Sequence, residues 1–396
     1  MQSHLRRPLT GASLLLFTTI ATASPVVLDT EQKAAAGVAT AFWTSDGAPR
    51  TMNGFIDTIR HETHRMLRMV DAVTTPAALM STPGGVTIAC GISGDLLVRM
   101  ADEQPRVLRV RWRDCVEDNF GQIRTLIGPM AITLPADTFQ PQNVLAIRFG
   151  NDANEFLEKQ RFEMPEQISD VTRAYNIVLR GDISMTRIFD CCEWIGASSF
   201  VMNGYMDDRT LLEFPLGTPP QFLSFKATAG GLHVVRTTNT ANGVDEDDTL
   251  LERGTITFDQ VQPPPFGGWT EAFRYRDYHV GRITDFNAFT EQKALNGRIE
   301  VTWSHLAAPG CIDGLYAFRT LTPMVTDFNT GAFVSGKLGV NGSVVANFYS
   351  AANTPPSLPT PVNGMLQNMR VRDVGTFNYD VQSWHVVSFT VANCLP

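Results

Sequence analysis

The chain has 396 residues, 43% hydrophobic and 18% charged, which is enough to bury a large core. That composition excludes a disordered chain, a disulfide knot and a bundle of membrane helices. The formal net charge of -8, with no lysine/arginine run to offset it, disfavours DNA, RNA and anionic lipid, so no nucleic-acid partner is expected.

The amino-terminal residues read as a secretory signal. Arg6 and Arg7 form a basic end, an apolar stretch runs from Leu14 to Ile20, and Ala21-Thr22-Ala23 supplies the small residues a signal peptidase accepts. Cleavage before Ser24 removes residues 1–23 and two positive charges, taking the net charge from -8 to -10. The apolar stretch is too short for the ~30 Å of a hydrocarbon core. No later stretch is long and apolar enough, so no transmembrane span is expected after signal removal. The expected location is the periplasm or the extracellular medium.

Residues 24–83 read as an amino-terminal segment with a short helix over Met52–Val70, where Phe55, Ile59, Met66 and Val70 share one face. From residue 84 onward the pattern is mostly strand. In Leu108-Arg109-Val110-Arg111-Trp112-Arg113 apolar residues face one way and arginines the other. Ile299 to Trp303 and the stretch around Phe389 and Val391 alternate likewise. Period-2 alternation with a charged face predicts antiparallel sheet with one side in water. A second short helix is expected over Ala153–Phe162, ended by Pro165. Proline-rich breaks at 215–220, 263–265 and 355–361 read as loops. The middle one divides the strands into a region 84–265 and a region 266–396, or lies inside one continuous domain. The fold expected is all-β and antiparallel, a meander, stacked sheets or a β-sandwich, with a short N-terminal helix.

Asn-Gly occurs six times, at Asn53, Asn203, Asn242, Asn296, Asn341 and Asn363, and suits type I′ hairpin turns. Asp114-Cys115-Val116-Glu117 ahead of Gly128 and Asp190-Cys191-Cys192-Glu193 ahead of Gly204 look like copies of one strand–loop–strand unit. Thr284 to Asn287 before Asn296-Gly297 and Thr326 to Asn329 before Asn341-Gly342 form a decayed second pair. The alternative is a β protein that reuses one turn chemistry.

The cysteines are Cys90, Cys115, Cys191, Cys192, Cys311 and Cys394, an even number that favours disulfides in an exported chain. A meander would bring Cys90 next to Cys115, and Cys311–Cys394 would pin the last strand. Cys191 and Cys192 either close on each other as a vicinal disulfide or bond separately. No zinc-type spacing occurs, and neither metal nor cofactor is expected.

His61-Glu62-Thr63-His64 has its histidines three apart, not four, and reads as a solvated helix face. Asp245-Glu246-Asp247-Asp248 lacks the EF-hand alternation and reads as a solvated hairpin tip. Gly91-Ile92-Ser93-Gly94 is one residue short of a nucleophile elbow. The histidines His233, His279, His305 and His385 are scattered through the sequence and suggest no triad. A carboxylate pair of glycosidase type is open, and nothing selects one. Phe266, Trp269, Phe273, Tyr275 and Tyr278 cluster behind the triple proline as a possible surface for sugar rings or a peptide, with core packing as the alternative.

Cys90-Gly91-Ile92-Ser93-Gly94, Asp114-Cys115 and Leu295-Asn296-Gly297 carry a resemblance to a loose group of uncharacterised secreted β-rich proteins of Gram-negative bacteria. The resemblance implies a β-rich envelope protein and no reaction. The functional expectation is a non-enzymatic envelope protein, structural or binding, with an envelope component, a glycan or a protein as partner. The alternatives are a secreted glycan-active hydrolase on a β scaffold and a carrier of lipid or another apolar ligand.

Overall fold

The computed structural model describes residues 24–42, 44, 63–100, 105–119, 122–134, 138–139, 144–150, 156–163, 172–185, 196–213, 221–261, 268–303, 313–327, 329, 333–354, 356–357, 365–371 and 375–380. The signal segment lies outside them, as do residues 52–62 of the expected helix. Helices α1 (Glu31–Phe42), α2 (residues 63–71) and α3 (Pro76–Met80) come first. Seventeen strands follow: β1 (Val86–Ala89), β2 (Ser93–Met100), β3 (Arg106–Asn119), β4 (Gln122–Leu134), β5 (Ala146–Phe149), β6 (Phe156–Glu163), β7 (Thr172–Met185), β8 (Gly196–Glu213), β9 (Gln221–Ala241), β10 (Val244–Val261), β11 (Gly268–Asp285), β12 (Thr290–Trp303), β13 (Gly314–Asp327), β14 (Phe333–Val340), β15 (Val344–Ser350), β16 (Met365–Val371) and β17 (Gly375–Asp380).

The strands form an antiparallel meander in which sequence neighbours pair. β5 and β6 share one position between β4 and β7, so the seventeen strands fill sixteen positions. β10 pairs with β11, with Val261 opposite Gly268, so the two β regions are one continuous sheet, and the triple proline lies outside the described residues. Of the residues expected to form a second helix, 156–162 lie in a strand, β6, because β4 and β7 offer ladders on both sides, and 153–155 lie outside the described residues. Pairing of that kind overrides a local helix preference of tenths of a kcal/mol per residue.

Alternation sets the two faces. In β3, Leu108, Val110 and Trp112 are buried and Arg109, Arg111 and Arg113 are exposed. Buried residues from β1 to β15 join those of the helices in one contiguous core. Laid flat, sixteen positions at ~4.8 Å spacing would be about 70 Å wide. A single core on one face therefore requires the sheet to coil around what covers it.

The cover is the amino-terminal segment. The Val26 N–H donates to Leu315 O at 3.0 Å, the Leu315 N–H to Ser24 O at 3.2 Å, and Asn341 Nδ2 to Val26 O at 2.8 Å, which lays residues 24–26 along β13. The Thr30 hydroxyl accepts from the Lys33 N–H at the start of α1. Ala34, Val38 and Ala41, at i, i+4 and i+7, are buried, so small residues let the helix lie close to the sheet. Its last turn meets Tyr278 of β11, whose hydroxyl lies 3.2 Å from Thr44 Oγ1 and donates to Ala41 O at 3.4 Å. In α2, Met66, Leu67 and Val70 are buried, and Arg65 pairs with the buried Glu117 of β3 while its guanidinium sits over Trp112. Arg124 of β4 approaches the same carboxylate at 3.6 Å. His64 is buried here and is not on the solvated face expected for it.

Among the described residues the Asn-Gly pairs do two jobs, and those at Asn53 and Asn363 lie outside them. Asn242-Gly243 (φ 54° and 77°) and Asn341-Gly342 (φ 49° and 66°) are hairpin turns of the expected left-handed kind. Asn203 and Asn296 instead lie inside β8 and β12, where the register shifts. There their side-chain oxygens accept from the neighbouring backbone, Asn203 from the Gly231 N–H at 2.6 Å and Asn296 from the Thr320 N–H at 3.1 Å. Gly297 follows with φ +120°, and a Cβ there would lie 2.1 Å from Asp277 O. These pairs are bulge devices in which the amide fills the ladder gap and the glycine lets the bulged neighbour approach.

Candidate functional site

The chemistry-bearing side chains gather on the outer, wet face of β8 to β12. His233 of β9 lies between the buried Leu232 and Val234, so alternation points it outward. Glu252 of β10, next to the buried Leu251, points the same way, and so does Ser199 of β8, an odd number of residues before the buried Met202. Val201 is opposite His233, and the shift between Leu251 and Arg253 sets Glu252 beside the imidazole. Ser199 Oγ lies 3.0 Å from His233 Nε2, and His233 Nδ1 lies 2.6 Å from Glu252 Oε2. The second contact is a close ionic approach without an aligned N–H···O bond. Serine, imidazole and carboxylate thus lie in a row across three adjacent strands.

A second imidazole–carboxylate pair, His279 of β11 with Asp248 of β10, lies farther along the same face. It borders an open groove of about 310 Å³ lined by Glu246, Asp248, Gly281, Ile283, Gln292 and Pro323, among others. The acidic run Asp245–Asp248, expected at a solvated hairpin tip, opens β10 directly after the Asn242-Gly243 turn. Alternation sends Glu246 and Asp248 outward, while Asp247 is held in a two-pronged contact by Arg236 (Nη2 to Oδ2 2.7 Å, Nε to Oδ1 3.1 Å). The four carboxylates therefore do not converge as a calcium loop would require.

Beyond Ile283 stands the β11–β12 hairpin. Asp285 Oδ1 accepts the N–H groups of Asn287 and Ala288, and the Phe286 N–H donates to Gly243 O, tying this tip to the β9–β10 turn. Asn287 Nδ2 also donates to Asn242 O. Phe286 and Phe289 are about half exposed at 47% and 53%, and Phe289 has φ +53°, a backbone conformation unfavourable for a bulky residue.

Of the aromatic residues expected on a binding surface, Phe273, Tyr275 and Tyr278 are fully buried and belong to the core. Phe273 meets Phe258 edge to face, and Tyr278 packs on Tyr275 and Phe318. They sit at inward positions of β11, where the alternation Phe273, Tyr275 faces the helices. Burial, and next the neighbouring Tyr278 and Glu271, push the Tyr275 hydroxyl well above its ordinary pKa, and that hydroxyl has no hydrogen-bond partner among the described residues. Phe266 and the side chain of Trp269 lie outside the described residues, as do Cys191, Cys192, Cys311 and Cys394.

Cys90 and Cys115 form a disulfide, with Cα atoms 5.5 Å apart, joining the end of β1 to β3. With Glu117 they are the one close group of three metal-type ligands among the described residues, and both sulfurs are committed to the bond.

Sequence reasoning did not find Ser199, His233 and Glu252. Ser199 and His233 are 34 residues apart and carry no local motif. The signal available was the hairpin register of β8, β9 and β10, which puts all three on the wet face. Comparison with models of protein families, with curated proteins and with solved structures finds no match, so function is read from the geometry of this face alone.

Proposed function

We propose that the chain is an exported envelope protein that binds a neutral or basic glycan on its outer sheet face. The observation that carries this reading is the open groove over Gly281, lined by Glu246, Asp248 and Gln292, with the cations of its lining, Arg282 and Lys293, turned to Glu291, and followed by a hairpin with two exposed phenylalanines. Carboxylates and an amide are hydrogen-bond acceptors and donors suited to hydroxyl or amino groups, and exposed aromatic rings stack on sugar faces. The inner apolar face is covered by α1 and α2, which favours a ligand on the outside. The signal-like residues 1–23 and the Cys90–Cys115 disulfide support export to an oxidising compartment.

The test is calorimetric titration of the mature protein with chitosan oligosaccharide, with dextran and with dextran sulfate. Binding of chitosan oligosaccharide or dextran but not of dextran sulfate is expected. Asp248→Asn and Phe286→Ala should each weaken it about fivefold or more, the loss of roughly 1 kcal/mol. Equal binding of the polyanion, or binding unchanged in both variants, would remove this reading.

A further inference from the structure

We infer that Ser199, His233 and Glu252 form a nucleophilic triad that hydrolyses short-chain carboxylic esters. Rows of polar residues are common on wet sheet faces, so the order of groups decides the matter. Here a hydroxyl lies within hydrogen-bond distance of one ring nitrogen and a carboxylate lies against the other, at 3.0 Å and 2.6 Å. The Glu252 carboxylate lies against Nδ1 without an aligned N–H···O bond, and its negative charge there favours the tautomer with the proton on Nδ1, which leaves the Nε2 lone pair facing Ser199 Oγ. That is the arrangement of nucleophile, base and orienting group that acyl transfer needs. Ser199 and His233 stand at paired positions of β8 and β9, so the ladder holds their spacing, and Glu252 stands at the bulge of β10 between Leu251 and Arg253.

The chemistry follows from the positions. Ser199 Oγ attacks the ester carbonyl carbon while His233 Nε2 takes the hydroxyl proton. The carbon–oxygen bond to the alcohol breaks, and the alcohol departs with that proton. Water then attacks the acyl-serine and gives a proton to Nε2, which passes it to Ser199 Oγ as the carbon–oxygen bond to serine breaks and the carboxylic acid leaves. Glu252 does not touch the reacting atoms and is a positioning residue, while Ser199 and His233 are the catalytic ones.

The surroundings define the substrate. Ser199 is half-buried, with Val235 opposite it and Val201 opposite His233 on the same face, so apolar contact for an acyl chain is confined to two short side chains and an acetyl-sized group fits best. Glu246, Asp248 and Glu252 share the outward side of β10 and repel anionic esters. The inference goes beyond glycan binding and does not depend on it. Asp248 and Glu252 are four residues apart on one strand face, about 13 Å at ~3.3 Å per residue, so a ligand in the groove and an ester at Ser199 are separable.

The mature protein should react with a fluorophosphonate probe to give one adduct, located on Ser199 by peptide mass spectrometry. It should hydrolyse p-nitrophenyl acetate on the order of 10²-fold or more above buffer, the lower range for general-base assistance, and the octanoate ester more slowly. Ser199→Ala should lose both adduct and turnover while keeping the circular dichroism of the parent. Glu252→Gln should lower kcat with little change in KM, and Glu252→Asp should restore part of it. An unlabelled parent, an adduct on another residue, or unchanged turnover in Ser199→Ala would overturn the inference. The adduct is read on the unmodified protein, so misfolding of a variant does not obscure the result. Dextran binding that survives Ser199→Ala separates failure here from failure of the glycan reading.

Discussion

Phe289 shows how a single residue can cost stability in a place where the fold does not require it. The hairpin closes with a left-handed residue at this position, which glycine adopts freely and a bulky L-residue resists by roughly 1–2 kcal/mol. Its ring is half exposed, so burial offsets little of that cost. Phe289→Gly is expected to raise stability by about 1 kcal/mol, read as a higher urea midpoint at unchanged slope, while weakening glycan binding. A fall in the midpoint would mean that the ring packs on something that stabilises the tip. Nothing in the residue pattern around Phe286 and Phe289 identified them as exposed, since hydrophobic residues at a strand end read as core. Their exposure follows from the four-residue loop between Asp285 and Thr290, visible only once the register was known.

Strands were the most legible elements, and the reason is physical. Leu108–Arg113 and Ile299–Trp303 alternate because one side meets protein and the other water, and a period of two has no helical interpretation. The Cys90–Cys115 bond was legible for a related reason: a three-strand meander of the expected lengths brings those positions together. Replacing both cysteines with alanine should cost about 3 kcal/mol for a loop of 25 residues in the chain-entropy model, measured by the urea midpoint of the double variant against the parent. An unchanged midpoint would show that the β1–β3 segment is held by its ladders alone. Two elements were misread. α1 was missed because its buried side is alanine and valine, too small to give a strong apolar stripe. Ala153–Phe162 was read as a helix from residues such as Leu157, Glu158 and Lys159 that are good helix formers, yet long-range pairing made their neighbourhood a strand. The triad across β8, β9 and β10 was invisible for the same cause, since register is a tertiary property.

For the molecule as a whole, an antiparallel sheet with one wet and one dry face was legible, but what fills the dry side was not. The filling includes tyrosines, and these give the fold a pH limit. Tyr275 and Tyr316 have folded-state pKa values raised chiefly by burial above the ordinary 10.0. The unfolded chain therefore loses these protons first, so their contribution is complete below about pH 10 and declines as pH rises toward the folded values. The urea midpoint should be flat from about pH 8 to 9 and fall above 10, and Tyr275→Phe should make that fall shallower. An identical slope in the variant would place the alkaline sensitivity elsewhere. The strip from Ser24 to Val26 lying along β13 adds a constraint in time. Asn341 and the Val26 carbonyl it holds are 315 positions apart, so a ribosome working at ~5–20 residues per second delivers the second about 15–60 s after the first. The inner helices must wait that long for the wall that shelters them, and the nascent polypeptide has no finished interior until its distal third has been made.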